Sequence, residues 1–174
     1  MDGSAGSERR VVRIDPWGKG DLPLLEKVLG EPEMMGHLGG PESPESIAQR
    51  QTGYEHEDSR QFKIVDHTSG AAVGWVGYWE RTWREDRVFE IGWSVLLDFQ
   101  GHGIGSQAAG QAIVLAKAER RLRFLHAFPS LDNAPSNAIC RKLGFTLLEE
   151  CKFEYPPGNF MQVNDWAVDL FAES

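Results

Sequence analysis

Apolar and polar positions along this chain switch repeatedly between a two-residue and a three-to-four-residue rhythm, the pattern of strands interleaved with helices. Residues 9–14 read as a strand that Asp15-Pro16 stops. Residues 21–29 read as a short helix with Pro23 in its first turn and Gly30 at its end. A loop rich in glycine and proline, 31–44, carries Met34, Met35 and His37. Ser43-Pro44-Glu45-Ser46 then opens a helix to about residue 56: the serine caps, the proline fits the first turn, and the glutamate suits the helix dipole. Residues 61–66 and 71–80 read as strands joined at Thr68-Ser69-Gly70, and 81–87 as a polar hairpin connection. Residues 88–95 form the central strand. After it, Ile104, Ala108, Ala112 and Leu115 mark a helix whose polar side carries Gln107, Gln111 and Lys117. A strand at 123–128 follows, parallel to the central one if the helix is a crossover. A helix at 134–143 then ends at Gly144. Strands 145–153 and 160–171 close the pattern across Pro156-Pro157-Gly158-Asn159. The expectation is one α+β (mixed α/β) domain over 9–174, a mixed sheet of about seven strands flanked by about four helices. The polar residues 1–8 are expected to be disordered.

The most informative stretch is Gln100-Gly101-His102-Gly103-Ile104-Gly105-Ser106, a glycine-rich turn that delivers the central strand into a helix N-terminus. Amides there lack partners within the helix, and the dipole adds partial positive charge, so the turn is a candidate phosphate cradle. No Gly-Lys-Ser/Thr follows the glycines, which removes a Walker A loop. Gly103 to Ala108 fits a relaxed G-x-G-x-x-A dinucleotide fingerprint. The acidic residue that fingerprint needs about 20 positions on is missing, because residues 124–128 offer only His126 as a polar side chain.

At these residues the chain resembles the GNAT superfamily of N-acetyltransferases. Gln100-x-x-Gly103-x-Gly105 is similar to that family's pyrophosphate loop. Asn133-Ala134-Pro135-Ser136-Asn137-Ala138-Ile139-Cys140-Arg141-Lys142-Leu143-Gly144-Phe145 is similar to its N-x-x-S…K-x-G-F segment, in the expected order. Within that family the chain resembles the branch of the ribosomal-protein alanine acetyltransferases and bacterial enzymes near it. The resemblance implies a mostly antiparallel, twisted sheet in a single GNAT domain, and acetyl-CoA as co-substrate. Residues 100–106 would hold the pyrophosphate, including His102 and Ser106. Val95, Leu96 and Leu97 would meet pantetheine and the thioester carbonyl where pairing of the central strand breaks. Asn133 and Ser136 would contact the cofactor, though Asn133 fits a helix cap equally well.

Composition narrows the partners. A net charge of −8 argues against a nucleic-acid surface. No apolar run approaches the length of a membrane span. The start of the chain lacks a signal-type apolar segment, and two cysteines make no disulfide framework, so a cytoplasmic location is expected. The five histidines lack metal-ligand spacing, and no metal is expected.

Acetyl transfer to an amine requires the free base, and neutralising an ordinary primary ammonium at pH 7 costs about 4–5 kcal/mol. Glu90 shares a strand face with Gly92 and Ser94 and is the candidate general base; the alternative is a glutamate on a wet sheet face. Cys140 stands where many GNAT enzymes place a tyrosine acid. It is the candidate acid for the departing thiolate, against the alternative of a small core residue. The acceptor is expected to be a small-molecule amine or a peptide N-terminus attacking directly in a ternary complex. The rival is a non-catalytic acyl-CoA-binding regulatory module. Residues 31–58 carry seven acidic side chains against Arg50 alone, which would favour a cationic amine if they rim the acceptor site. Trp75, Trp79, Trp83 and Trp93 are expected partly in the core and partly on the pocket wall. Homodimers are frequent in the family, so the resemblance admits one here.

Overall fold

A computed structural model describes residues 9–173; the expected disorder of residues 1–8 lies outside the described residues. Seven strands form one sheet: β1 (Val12–Pro16), β2 (Gln61–Asp66), β3 (Ala72–Trp83), β4 (Asp86–Val95), β5 (Phe124–Ala127), β6 (Thr146–Glu154) and β7 (Phe160–Asp169). Their spatial order is β1-β2-β3-β4-β5-β7-β6. Every neighbouring pair is antiparallel except β4 and β5. That one parallel pair needs a crossover, which α3 (Ile104–Glu119) supplies. The other helices are α1 (Leu22–Gly30), α2 (Pro44–Tyr54) and α4 (Ala134–Lys142).

Alternation along the strands sorts side chains onto two unlike faces. On one, Phe89, Ile91, Leu125 and Trp166 meet Ala108, Ala109, Ala112 and Ala116 of α3, whose short side chains bring the helix close to the sheet. On the other, α1, α2 and the loop between them cover the first half of the sheet through Leu25, Val28, Met35 and Ile47, packed with Trp17 and Trp75.

Three sequence expectations change. The first strand begins at Val12 and runs through Asp15 and Pro16, which pair with Lys63 and Phe62, instead of stopping at them. The connection at 81–87 is a two-residue turn: β3 runs to Trp83 and β4 begins at Asp86. Arg84 and Glu85 both take positive φ, 51° and 72°, the twist that tight hairpins require. Neither is Gly or Asn, so the usual signal was absent. Gln107 and Gln111 are not simply turned to solvent. Their side chains accept from the Val12 and Ile14 amides at 3.2 and 3.1 Å, and Gln111 Nε2 donates to Val12 O at 2.9 Å. They substitute for the missing neighbour of an edge strand and fix α3 to β1.

Candidate active site

The parallel pairing of β4 and β5 is short. Phe89 pairs with Leu125 and Glu90 with His126, and there the register ends. Beyond Glu90, β4 stays with β3 as far as Val95, while β5 stays with β7. The two strands diverge, and a cavity of about 900 Å³ opens in the wedge. Such a volume suits a large ligand.

One end of the cavity is built from backbone. Gly101 and Gly103 hold φ of 83° and 75°, a conformation glycine adopts without penalty. Gly103 occupies the N-cap of α3 with no side chain capping it, whereas Ser43 caps α2 and Asn133 caps α4. Gly105 lies so close to α4 that a Cβ there would stand 2.9 Å from Ile139 Cδ1. Gln100, Gly101, Gly103, Ile104, Gly105 and Ser106 all reach the cavity wall.

Val95, Leu97, Asn133 and Ser136 line the same cavity. Asn133 also performs the capping role, accepting from the Ser136 amide at 3.2 Å. Leu96 and His102 do not reach the wall. Pairing with β3 continues one residue past Val95, because the Leu96 amide donates to Val73 O at 2.9 Å, and the Leu96 side chain leans on the α1 cluster. The break in pairing lies on the β5 side instead. His102 faces a smaller neighbouring pocket with Arg9 and Arg10, and its carbonyl accepts from the Arg10 amide.

At Cys140 the structure favours the second of the two expected roles, a small core residue. It is wholly buried in the α3-side core and forms no part of the cavity wall. Burial pushes its thiol up to about 12. The residue packs in the core, away from the cavity.

The other end of the cavity is built from side chains. Glu90 lies on its wall, mostly buried, with Arg81 Nη1 donating to its carboxylate. Burial raises the Glu90 pKa above the ordinary carboxylate value, while Arg81 and His126 oppose the rise. Arg81 is sandwiched among Trp83, Phe128 and Phe153. Across the cavity, Arg50 Nη2 donates to the Tyr155 hydroxyl at 2.6 Å, and its Nε to Glu42 at 2.9 Å. Trp79, Trp75 and Tyr54 stack in series along the wall, with successive centroids 6.2 and 6.3 Å apart. Trp93 joins them on the lining, and Trp83 does not.

The acidic rim expected from 31–58 is largely absent. Glu33 alone among those seven acids lines the cavity, and Glu42 is held by Arg50. His37, also on the cavity wall, meets Asp132 at 3.2 Å. Among the described residues no cluster of His, Cys, Asp and Glu could hold a metal, and no helix is long and apolar enough to cross a membrane.

Residues 12–146 match the family model of the acetyltransferase (GNAT) domain. The chain belongs to the GNAT acetyltransferase family. Solved structures of similar fold include a GNAT-family acetyltransferase from Bacillus anthracis, with a TM-score of 0.77 at 19% identity over 94% of this chain and 96% of that one. A ribosomal-protein-alanine N-acetyltransferase from Brucella melitensis gives 0.71 at 22% identity over 91% and 99%. A spermidine N-acetyltransferase from Vibrio cholerae, in complex with CoA and spermine, gives 0.76 at 15% over 91% and 95%. Among curated protein sequences none matches significantly.

The positions of several residues around the cavity could not be read from the sequence. Arg50 stands out in it only as a lone basic residue and Tyr155 only as a tyrosine whose spacing assigns it no role, while Arg81 and Asp165 give no signal. The four belong to different elements or loops, and only folding brings them near Glu90 or the cavity. Asn137, within the second motif, proves to be a structural hub. Its side chain donates to Ser130 O and Asn133 O at 3.0 and 2.9 Å, and accepts from Asn164 and Trp166, both at 2.8 Å. This fastens the β5–α4 loop, one wall of the cavity, to β7.

Proposed function

We propose that this chain is an acetyl-CoA-dependent N-acetyltransferase that moves the acetyl group to a primary amine by direct attack in a ternary complex. The observation that carries the reading is the shared cavity: the uncapped, glycine-rich start of α3 and the buried carboxylate of Glu90 open onto the same wedge between β4 and β5. When bound, the cofactor supplies an activated acyl group. The amides of residues 103–106 and the dipole of α3 favour its pyrophosphate. Ionised Glu90 accepts the ammonium proton and leaves a free amine facing the thioester. Divergence of the strands leaves the β5-facing edge of residues 91–95 without a strand partner, which suits it to align pantetheine and polarise the thioester carbonyl.

The acceptor is a small-molecule amine or a peptide N-terminus. Arg50 beside a wall of stacked aromatics speaks against a strongly polycationic amine and for one with an apolar or aromatic body. Thiol release from acetyl-CoA across a panel of aromatic, aliphatic and polyamine acceptors tests this. Turnover that disappears in Glu90→Gln while CoA affinity is unchanged is the expected result. Tight CoA binding without turnover on any amine would replace the enzyme by an acyl-CoA-binding regulatory module.

A further inference from the structure

A second group of charges lies beside Glu90, and the transfer step above does not use it. His126 is the register partner of Glu90 across the β4–β5 pair, so the two backbones are about 4.8 Å apart and their side chains emerge on the same face. His126 Nδ1 lies 2.6 Å from Asp165 Oδ1, both side chains being buried. Trp83 Nε1 fixes the second carboxylate oxygen at 3.1 Å, and Phe128 stacks on the imidazole with centroids 5.7 Å apart. The ring is therefore held in one orientation, with Nδ1 committed to Asp165. The side chain keeps 8% of its surface exposed.

The charge balance of this group is uneven. Glu90 and Asp165 are two carboxylates against one permanent cation, Arg81, whose Nε is itself buried without a partner. From β6, Cys151 borders Asp165, and the Arg84–Glu149 pair closes the outer side. Within the buried group, His126 is the side chain able to gain a positive charge.

We propose that the Asp165–His126 pair is the proton outlet of Glu90, an inference that rests on Glu90 being the base. The ammonium N–H bond breaks as an O–H bond forms on Glu90. That O–H then breaks as an N–H forms at His126 Nε2, the proton passing through one bridging water because the two side chains share no direct hydrogen bond. The imidazolium so formed is stabilised by Asp165. Loss of this proton to water restores the starting state, with no other co-reactant. His126 and Asp165 act through Glu90 and are positioning residues in this scheme.

The test follows the Glu90 carboxyl by NMR in ¹³C-glutamate-labelled protein, its signal assigned from Glu90→Gln, alongside the pH profile of kcat. In His126→Asn the Glu90 midpoint is expected to rise, kcat to fall about tenfold with KM within about twofold, and added imidazole to restore part of the rate in His126→Ala. In the unmodified protein the Glu90 signal is expected to carry a second inflection that follows the imidazole, a reading that survives if a variant fails to fold. A single inflection, or a Glu90 midpoint and kcat profile unchanged in His126→Asn, would overturn the proposal. Full turnover by Glu90→Gln would instead remove the base, and the relay with it, even where the two groups titrate together.

Discussion

The two ends of the cavity solve the problem of placing polar groups in opposite ways. At the α3 end the groups are main-chain amides, positioned by local geometry: two left-handed glycines and a helix that starts without a side-chain cap. At the Glu90 end they are side chains from β3, β4, β5 and β7, positioned by the sheet. A backbone site tolerates changes of most side chains and fails when its φ values or close approaches are lost. A side-chain site tolerates backbone adjustment and fails when one partner is removed from a buried group.

The largest effect should therefore come from Glu90→Gln, which is expected to lower kcat by a hundredfold or more while calorimetry shows CoA affinity unchanged. Equal loss of both would mean that the two ends are not separable. The same residue sets the acid limb of the wild-type rate. Because burial raises its pKa, activity should fall on acidification at a higher pH than an ordinary glutamate would give. Stability runs the other way, since the ionised buried form is penalised: Glu90 favours the fold at low pH and loses that contribution as pH rises through its folded value. A pH–rate profile beside urea melts at each pH checks both signs.

Asn137→Ala ranks next. It leaves Trp166 Nε1 and Asn164 without an acceptor and is expected to cost about 2–4 kcal/mol in a urea melt. CoA affinity should weaken as the β5–α4 loop loosens. Gly103→Val forces a β-branched residue into left-handed backbone at about 1–2 kcal/mol. It should weaken CoA binding by roughly tenfold while leaving the Glu90 titration in place, which is the sharpest separation of the two ends. The smallest effect is expected at Cys140. Cys140→Ala should change turnover by less than about twofold, and the native thiol should resist alkylation at pH 8, well below its raised pKa of about 12.

The same contrast explains what could be read from the chain alone. The glycine turn was legible because backbone geometry is encoded locally: Gly101, Gly103 and Gly105 announce left-handed turns and close packing by their lack of a Cβ. The strand and helix succession was legible through periodicity, apart from the Arg84-Glu85 turn, where non-glycine residues adopt positive φ. Glu90 stood out as a charge on a central strand. Its surroundings did not, because its partner Arg81 is nine residues away in sequence, and Asp165, the partner of the neighbouring His126, lies near the far end of the chain. His126 left a faint mark as the one polar side chain in residues 124–128, a position that a buried strand concedes only to a satisfied group. The acidic count over 31–58 misled, since composition does not say which carboxylates face inward and which are already paired, as Glu42 is with Arg50.

The glutamine pair that fastens β1 to α3 also bears on how copies of this chain could meet. A seven-stranded open sheet has two raw margins, β1 and β6. Gln107 and Gln111 occupy hydrogen-bonding groups of Val12 and Ile14 that an invading strand would need. Recruitment of a foreign ribbon is thereby muffled on the β1 flank, and any strand-to-strand assembly is steered to β6.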